Sequence, residues 1–600
     1  MKRPLTAEFL NKEGEGNLGE PVDLAGKTIA DLKDILRAQN LPVSGTKAQL
    51  IERLEGNSTD GTVLSLEDES KESPQEESLE TVPWWRSTEV LTPQALTAIG
   101  VVVLLIAAAF VFRPTWLGFA PNYEYDLIDF DQSQARLFAE ELVSYGHPDW
   151  EGRMSGTVEE ANVSAYIESV FKDMGMTTTL HSYEVPMHHV NSEPSLRICV
   201  QGLFSIGCEG LGAVGSEITS FQHRSDYVIQ GFSGQSEYLF QDEVPLTDLG
   251  NGSDEAMWSS AGGTIGYVRS GGSVNGNTDL FSLAAENNLA GLIQVNKDYQ
   301  CGKIEGNDCV PIFKGTRIDT VKEANGGSIP TDLPFIAMSK DAGEMLESLI
   351  FNATGTPGVI EMIIDVTNDE ERTIYVPCGE IKGESSEVVI VGGHHDTVYH
   401  GQGAIDDTSG TASVLEMARQ MSEVVNESGK PERTLRFCTW GGEEEGLYGS
   451  KAYVASLQSS LRNNLRLYIN LDMNHVDADF SNRGNSVTLF GNNAEDMGHI
   501  ERITALYQNE REEVADRYEI RLATLTGAQG APDGMPYNSD HGPFVYDLGS
   551  ERGRAVVCYG SGSWEYHTYL DTMDRFNEES LGVSVTIYGT YMRFLAYSDD

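Results

Sequence analysis

A chain of 600 residues is longer than one hydrophobic core organises, so it divides into several domains, and its 40% hydrophobic content is ordinary for globular protein. Acidic residues number 92 against 41 Lys and Arg, leaving a formal net charge of -51 that is spread along the chain rather than gathered in a tail. Such a surface repels nucleic acid and anionic lipid over most of its area, which excludes a general polyanion binder.

Residues 1–20 show no periodic pattern and are expected to be disordered. Within residues 21–56, Ile29, Leu32, Ile35 and Leu36 recur at helical spacing, Pro42 and Gly45 interrupt them, and Leu50, Ile51 and Leu54 resume. Two short helices are implied. The segment LKDILRAQNLPVSGTKAQLIERL resembles the SAP helix-extended-helix module, many members of which bind DNA. Its acidic and basic residues nearly cancel, which removes the electrostatic footprint of a DNA reader, so a protein contact suits the residues as well as a DNA contact. Residues 57–90 are rich in Ser, Glu and Asp and bury too little to fold, so they form a tether.

From Ala95 to Phe112 every residue is apolar or small apart from Thr97, and Trp84, Trp85 and Trp116 flank the run. Residues 91–113 are therefore expected as one transmembrane helix with aromatic residues at the headgroup level. The run begins too late for a removable signal peptide. Arg86 and Arg113 balance its flanks, so orientation rests on the residues downstream of the span. Cys199 with Cys208 and Cys301 with Cys309 each suit a short disulfide loop in an oxidising compartment, and sequons stand at Asn162, Asn251, Asn352 and Asn426. The expectation is a single-pass protein of the cell membrane, with a cytoplasmic N-terminus and an extracytoplasmic remainder. Cys378, Cys438 and Cys558 sit in apolar runs and read as small buried hydrophobes.

Helices are expected over 135–145 and 159–174, within a segment 131–197. Residues 198–350 change to short strands rich in Gly and Ser, the pattern of an inserted β-rich domain. There GTIGYVRSGG, LFSLAAENNLAGLIQVN and LPFIAMSKDAGEMLESL resemble, in order, the protease-associated domain, which in related peptidases shapes the substrate cleft. A lid without substrate contact is the alternative.

Residues 373–600 alternate short apolar runs with helical patterns, the mark of an α/β fold with a mostly parallel sheet and helices on both faces. In such sheets ligands gather beyond the carboxyl ends of the strands. Four runs end there in metal-type residues: Val388–Val391 leads to His394, His395 and Asp396; Leu435–Trp440 to Glu443, Glu444 and Glu445; Leu465–Leu471 to Asp472; and Ala555–Tyr559 to His567. Asp406 and Asp407 precede a further helix, where a carboxylate can bridge cations while accepting N–H bonds from the first turn. Imidazole and carboxylate ligands without thiolate suit catalytic zinc.

The motifs GGHHDTV, GAIDDTSG, WGGEEEGLYGS, INLDMN and YHTYLDTMDRF resemble, in order, those of the co-catalytic zinc aminopeptidase and glutamate carboxypeptidase family. That resemblance implies two zinc ions, one on His394 and Asp472, the other on Glu444 and His567, with Asp406 between them. It makes Glu443 the general base, Tyr566 the oxyanion donor and Asp396 the carboxylate that orients His394. Glu445 reads as a solvated neighbour, His395 as a packing residue, Asp407 as a helix cap, Asp540 and His541 as cleft wall, and Asp571 and Asp574 as turn and surface acids. The implied function is peptide hydrolysis, with an aminopeptidase favoured because an acidic cleft attracts a substrate amine and residues 477–547 hold no dense basic cluster. The other readings are a carboxypeptidase, a single-zinc glutaminyl cyclase, and an inactive receptor or adaptor.

Overall fold

A computed structural model of the protein describes residues 124–598 apart from 203–206, 210–214, 270–275, 297–302, 304–308, 352, 354–355, 480, 482 and 550–551. The SAP-like segment, the tether and the apolar run 95–112 lie outside the described residues, and no helix among those described is long and apolar enough to cross a membrane.

The large sheet contains eight strands: β1 (Thr177–Val190), β2 (Val366–Ile381), β3 (Val388–His394), β4 (Thr434–Trp440), β5 (Leu465–Leu471), β6 (Ser486–Gly491), β7 (Glu519–Thr524) and β8 (Ala555–Tyr559). Their order is β1-β2-β4-β3-β5-β8-β6-β7. The pairing is mostly parallel, as the sequence pattern predicts, within a mixed sheet: β4, β3, β5 and β8 run parallel at the centre and β7 runs parallel to β6, whereas β1 joins β2, β2 joins β4 and β6 joins β8 antiparallel. The antiparallel β1–β2 pair has a physical cause. Parallel strands require crossovers, and the β1–β2 ribbon instead carries the inserted domain on its open end.

Strand β3 is buried along its whole length, and alternate residues serve opposite faces. Val389 and Val391 pack with α1 (Gln132–Val143), α3 (Ser409–Ser428), α5 (Ala494–Glu510) and α6 (Glu578–Tyr597), while Val388 and Ile390 join Tyr453, Val454 and Leu461 of α4 (Tyr448–Asn464). A strand covered on both faces reads as a continuous apolar run, which is why periodicity alone finds these strands. The expected helices near the start are α1 and α2 (Val158–Asp173); Asp131 caps α1 by accepting from Gln134 N, and Thr157 caps α2 by accepting from Glu160 N.

Between β1 and β2, the inserted elements run from the strand Ser195–Val200 to the strand Val359–Ile364, which pair with each other in a four-stranded antiparallel sheet. A second sheet holds Tyr227–Ile229, Phe335–Met338, Gly291–Val295, Ile265–Arg269 and Leu246–Asp248 in that order, parallel except for its first pair. Helices Asn277–Glu286, Ile318–Ala324 and Lys340–Ile350 accompany it.

Cys199 and Cys208 form a disulfide. Cys309 is disulfide-bonded as well, and its expected partner, Cys301, lies outside the described residues. Cys378 and Cys438 are not separate buried thiols: they face each other across β2 and β4 and are joined, leaving Cys558 as the free, buried cysteine among the described residues. Composition cannot reveal that partnership, because it depends on strand register. The bond closes a separation of 60 residues. The double variant Cys378→Ala/Cys438→Ala is expected to lose about 2–4 kcal/mol in urea unfolding; an unchanged midpoint would mean that the crosslink constrains nothing.

Candidate metal centre

The parallel strands deliver their carboxyl ends to one edge, and the metal-type residues collect there. His394 closes β3. Its Nε2 lies 3.1 Å from Asp406 Oδ1 and 4.0 Å from Asp472 Oδ1, at the end of β5. The second imidazole, His567, comes after β8 with a left-handed backbone (φ 58°). Its Nε2 lies 3.1 Å from Asp406 Oδ2 and 2.9 Å from Glu444 Oε2, in the loop after β4. The two oxygens of Asp406 therefore face two different imidazoles. His394, Asp472, Asp406, Glu444 and His567 are all buried, and their ligand atoms fall into two compact sets, His394, Asp407 and Asp472 in one and Asp406, Glu444 and His567 in the other.

Asp407 joins the first set by position, but backbone donors already hold both of its oxygens. It accepts from the backbone N–H groups of His394, Gly410 and Met473 at 3.1, 2.8 and 2.9 Å. The capping of α3 thus belongs to Asp407. Asp406 is held from behind by Asp571, whose two oxygens accept Ile405 N and Asp406 N at 2.8 and 3.0 Å. Gly403 makes that loop possible: its φ is +58°, and a Cβ there would lie 2.3 Å from Thr397 Cγ2.

Asp396 is fully buried beside His394, but the nearer partner of His394 Nδ1 is the Asp396 carbonyl at 3.0 Å, against 3.5 Å for Oδ1. The carboxylate oxygens accept Glu443 N and Glu444 N, each at 3.3 Å, so Asp396 also anchors the acidic turn after β4. Glu443 Oε2 stands 3.9 Å from His394 Nε2. The Tyr566 ring stacks on His567 with centroids 3.7 Å apart. Asp406, Glu443, Asp472, Met473, Tyr559, Trp564 and Tyr566 line a cleft of about 360 Å³, with Asn538 and Arg483 also on its wall.

Some residues depart from their sequence-based reading. Glu445 is buried rather than solvated, with no hydrogen-bond partner for either oxygen. Asp571 is buried and braces the Asp406 loop, whereas Asp574 is exposed. His395 packs as expected, touching Ser164, Thr439 and Glu160. His541 bonds Pro536 O, apart from the two ligand sets. Arg153, which no motif marks, is 1% exposed and donates to His395 O, Gln402 O and Thr408 Oγ1, so one guanidinium ties three segments of the site. Its only sequence signal is a cation in a loop next to the Gly and Ser of EGRMSGT.

The electrostatics call for cations. Burial holds Glu443, Glu444, Glu445 and Asp407 above the usual carboxylate range, and raises Asp472 to about 6. Burial opposes charge on His567, but Glu444 and Asp406 outweigh it and bring the imidazole up to about 9. So many carboxyl groups out of water must either take up protons or share positive ions. Glu444 Oε1 is buried without a partner beside His567. Carboxylate and imidazole donors, buried, without thiolate, and leaving one oxygen unsatisfied fit zinc.

Residues 378–591 match Peptidase family M28. Residues 23–57 match the SAP domain. The aminopeptidase of Pseudomonas aeruginosa is 33% identical over 161 residues, 27% of this chain and 27% of that protein. Leucine aminopeptidase 2 of Trichophyton equinum is 32% identical over 149 residues, 25% of this chain and 28% of that protein. The chain thus aligns with a little over a quarter of the length of these relatives. A zinc aminopeptidase from Bacillus subtilis shares the fold, with a TM-score of 0.54, 18% identity, and coverage of 79% of this chain and 97% of that one. The family M28 match takes in all five of the clustered residues, His394, Asp406, Glu444, Asp472 and His567.

Proposed function

We propose that the protein is a zinc-dependent exopeptidase that removes residues from the amino end of peptides. One observation carries the reading: a single carboxylate, Asp406, stands 3.1 Å from each of two imidazole nitrogens that themselves belong to separate ligand sets. His394 and Asp472 would hold one zinc ion and Glu444 and His567 the other, with Asp406 available to both. Bound zinc supplies Lewis acidity for the scissile carbonyl and makes water easier to deprotonate at neutral pH. Glu443 takes the proton of the attacking water and returns it to the leaving amine; it lies outside both ligand sets and lines the cleft, where it can reach that water. Tyr566 stays protonated, because burial and the neighbouring carboxylates raise its pKa, and its O–H donates to the developing oxyanion. The acidic cleft attracts a substrate ammonium group.

The wider reading joins the rest of the chain to this site. Residues 91–113 anchor the protein in the cell membrane, the SAP module stays in the cytoplasm for a DNA or protein contact, and the peptidase lies outside. The disulfides Cys199–Cys208 and Cys378–Cys438 support an oxidising location for that part. The insert acts as a protease-associated domain.

A panel of short peptides, free at both ends or blocked at one, tests activity and polarity together. Release of the first residue from peptides with a free amine, and none from N-acetylated ones, is expected. Cleavage that requires only a free carboxylate would replace this reading with a carboxypeptidase, and no cleavage with or without added zinc would remove it.

A further inference from the structure

The two imidazoles of the site owe their orientation to different parts of the chain. His394 Nδ1 meets the carbonyl of Asp396, two residues away in the same loop. His567 Nδ1 instead meets the carbonyl of Phe313, 254 residues away in the inserted domain, at 2.9 Å. A carbonyl oxygen only accepts, so Nδ1 must carry a proton, and Nε2, which faces Asp406 and Glu444, is the nitrogen left to offer a cation a lone pair once it gives up its own proton. The contact is reciprocal, since Phe313 N donates to His567 O at 3.1 Å.

The insert is built to hold that arm still. Gln230, wholly buried, straddles Phe313: its Nε2 donates to Ile312 O at 3.1 Å, and its Oε1 accepts Lys314 N at 3.0 Å. Asn277 Nδ2 donates to the same Oε1 at 2.7 Å, so the clamp is anchored on a helix of the insert. Thr316 Oγ1 donates to Gly231 O at 2.8 Å, holding the far end. Beyond Phe313, the Lys314 ammonium lies 4.3 Å from the centroid of the Tyr566 ring. Gly315 sits so near the acidic turn that a Cβ would lie 2.6 Å from Glu444 O. The arm therefore touches three neighbours in the site, His567, Tyr566 and Glu444, and none of the contacts needs a substrate.

We propose that the insert arm Phe313–Gly315 is a positioning element of the zinc site held by Glu444 and His567, so that the inserted domain sets the affinity of one ion of the pair and not the other. This rests on the two-zinc reading above. A lid that merely covers the cleft would open without disturbing metal affinity; this arm cannot leave without releasing the His567 ring from its tautomer-setting partner.

Titration of the metal-free full chain with zinc, monitored by calorimetry and by competition with a chelating dye, tests it. Two variants loosen the arm without replacing a ligand side chain: Gln230→Met removes the clamp, and Gly315→Ala crowds the Glu444 backbone and pushes the arm away from it. The wild-type chain is expected to take up two ions. Each variant should keep one affinity unchanged and lose about 10–100-fold in the other, the usual effect of removing a ligand's hydrogen-bond partner, with cooperative unfolding of the metal-free chain retained. If Gln230→Met does not fold, Gly315→Ala decides. Two unaltered affinities, or equal weakening of both, would overturn the proposal while leaving the two-zinc reading intact. A wild-type chain that binds no zinc would instead defeat that reading itself.

Discussion

Glu443→Gln is expected to leave a protein that binds both zinc ions with wild-type affinity and hydrolyses peptides about 10²–10⁴-fold more slowly, the usual weight of a positioned general base. The geometry separates the two adjacent glutamates. Glu444 Oε2 is 2.9 Å from His567 Nε2, inside a ligand set, whereas Glu443 Oε2 stands 3.9 Å from His394 Nε2 and lines the open cleft. Glutamine matches glutamate in shape and keeps a carbonyl oxygen, but it cannot accept and return a proton, so kcat should fall with little change in KM. Glu444→Gln should behave differently, losing zinc before turnover is measured. If Glu443→Gln sheds an ion and Glu444→Gln keeps both while losing activity, the roles are exchanged. If Glu443→Gln keeps full activity, neither residue is the base.

The second large effect concerns stability. Arg153→Met should cost about 3–5 kcal/mol in denaturant unfolding, because it removes the cationic member of a buried charge network and leaves its partners behind. The guanidinium bonds two backbone carbonyls and one hydroxyl at 2.7–3.1 Å. Burial lowers its pKa to about 10, and the charges of Asp396, Asp571 and Asp407 work against that fall. Methionine keeps much of the volume and none of the donors, so His395 O and Gln402 O would be stranded in the interior. Loss of less than about 1 kcal/mol would mean that solvent reaches these groups and that Arg153 is not their structural tie.

Arg153 and Asp571 also mark how far sequence reading extends. His394, Asp406, Glu443, Glu444, Asp472 and His567 are legible because each comes after an apolar run or begins a helix, and parallel strands carry such residues to a common edge. Strands β5 and β8 have the same limits as the apolar runs that announce them, Leu465–Leu471 and Ala555–Tyr559. Nothing of that kind points to Arg153, in a loop before α2, or to Asp571, in a motif where its backbone partners lie 165–166 residues away. Glu445 misleads in the opposite sense: a third consecutive glutamate suggests a solvated face, but the turn that exposes Glu443 to the cleft turns Glu445 inward.

Local pattern by itself determined the helices α1 and α2, the central strands, the helices on both faces and the residue types offered at the strand ends. These arise from burial period and side-chain chemistry, which act over a few residues. Tertiary structure alone decided that β1, β2 and β6 join antiparallel, that Cys378 meets Cys438, that Asp571 braces the Asp406 loop, and that Phe313 of the insert holds His567. Each of these depends on register or on the approach of segments far apart in the chain, and hydrogen bonds and disulfides form only where folding brings the two ends within about 3 Å or a single bond length.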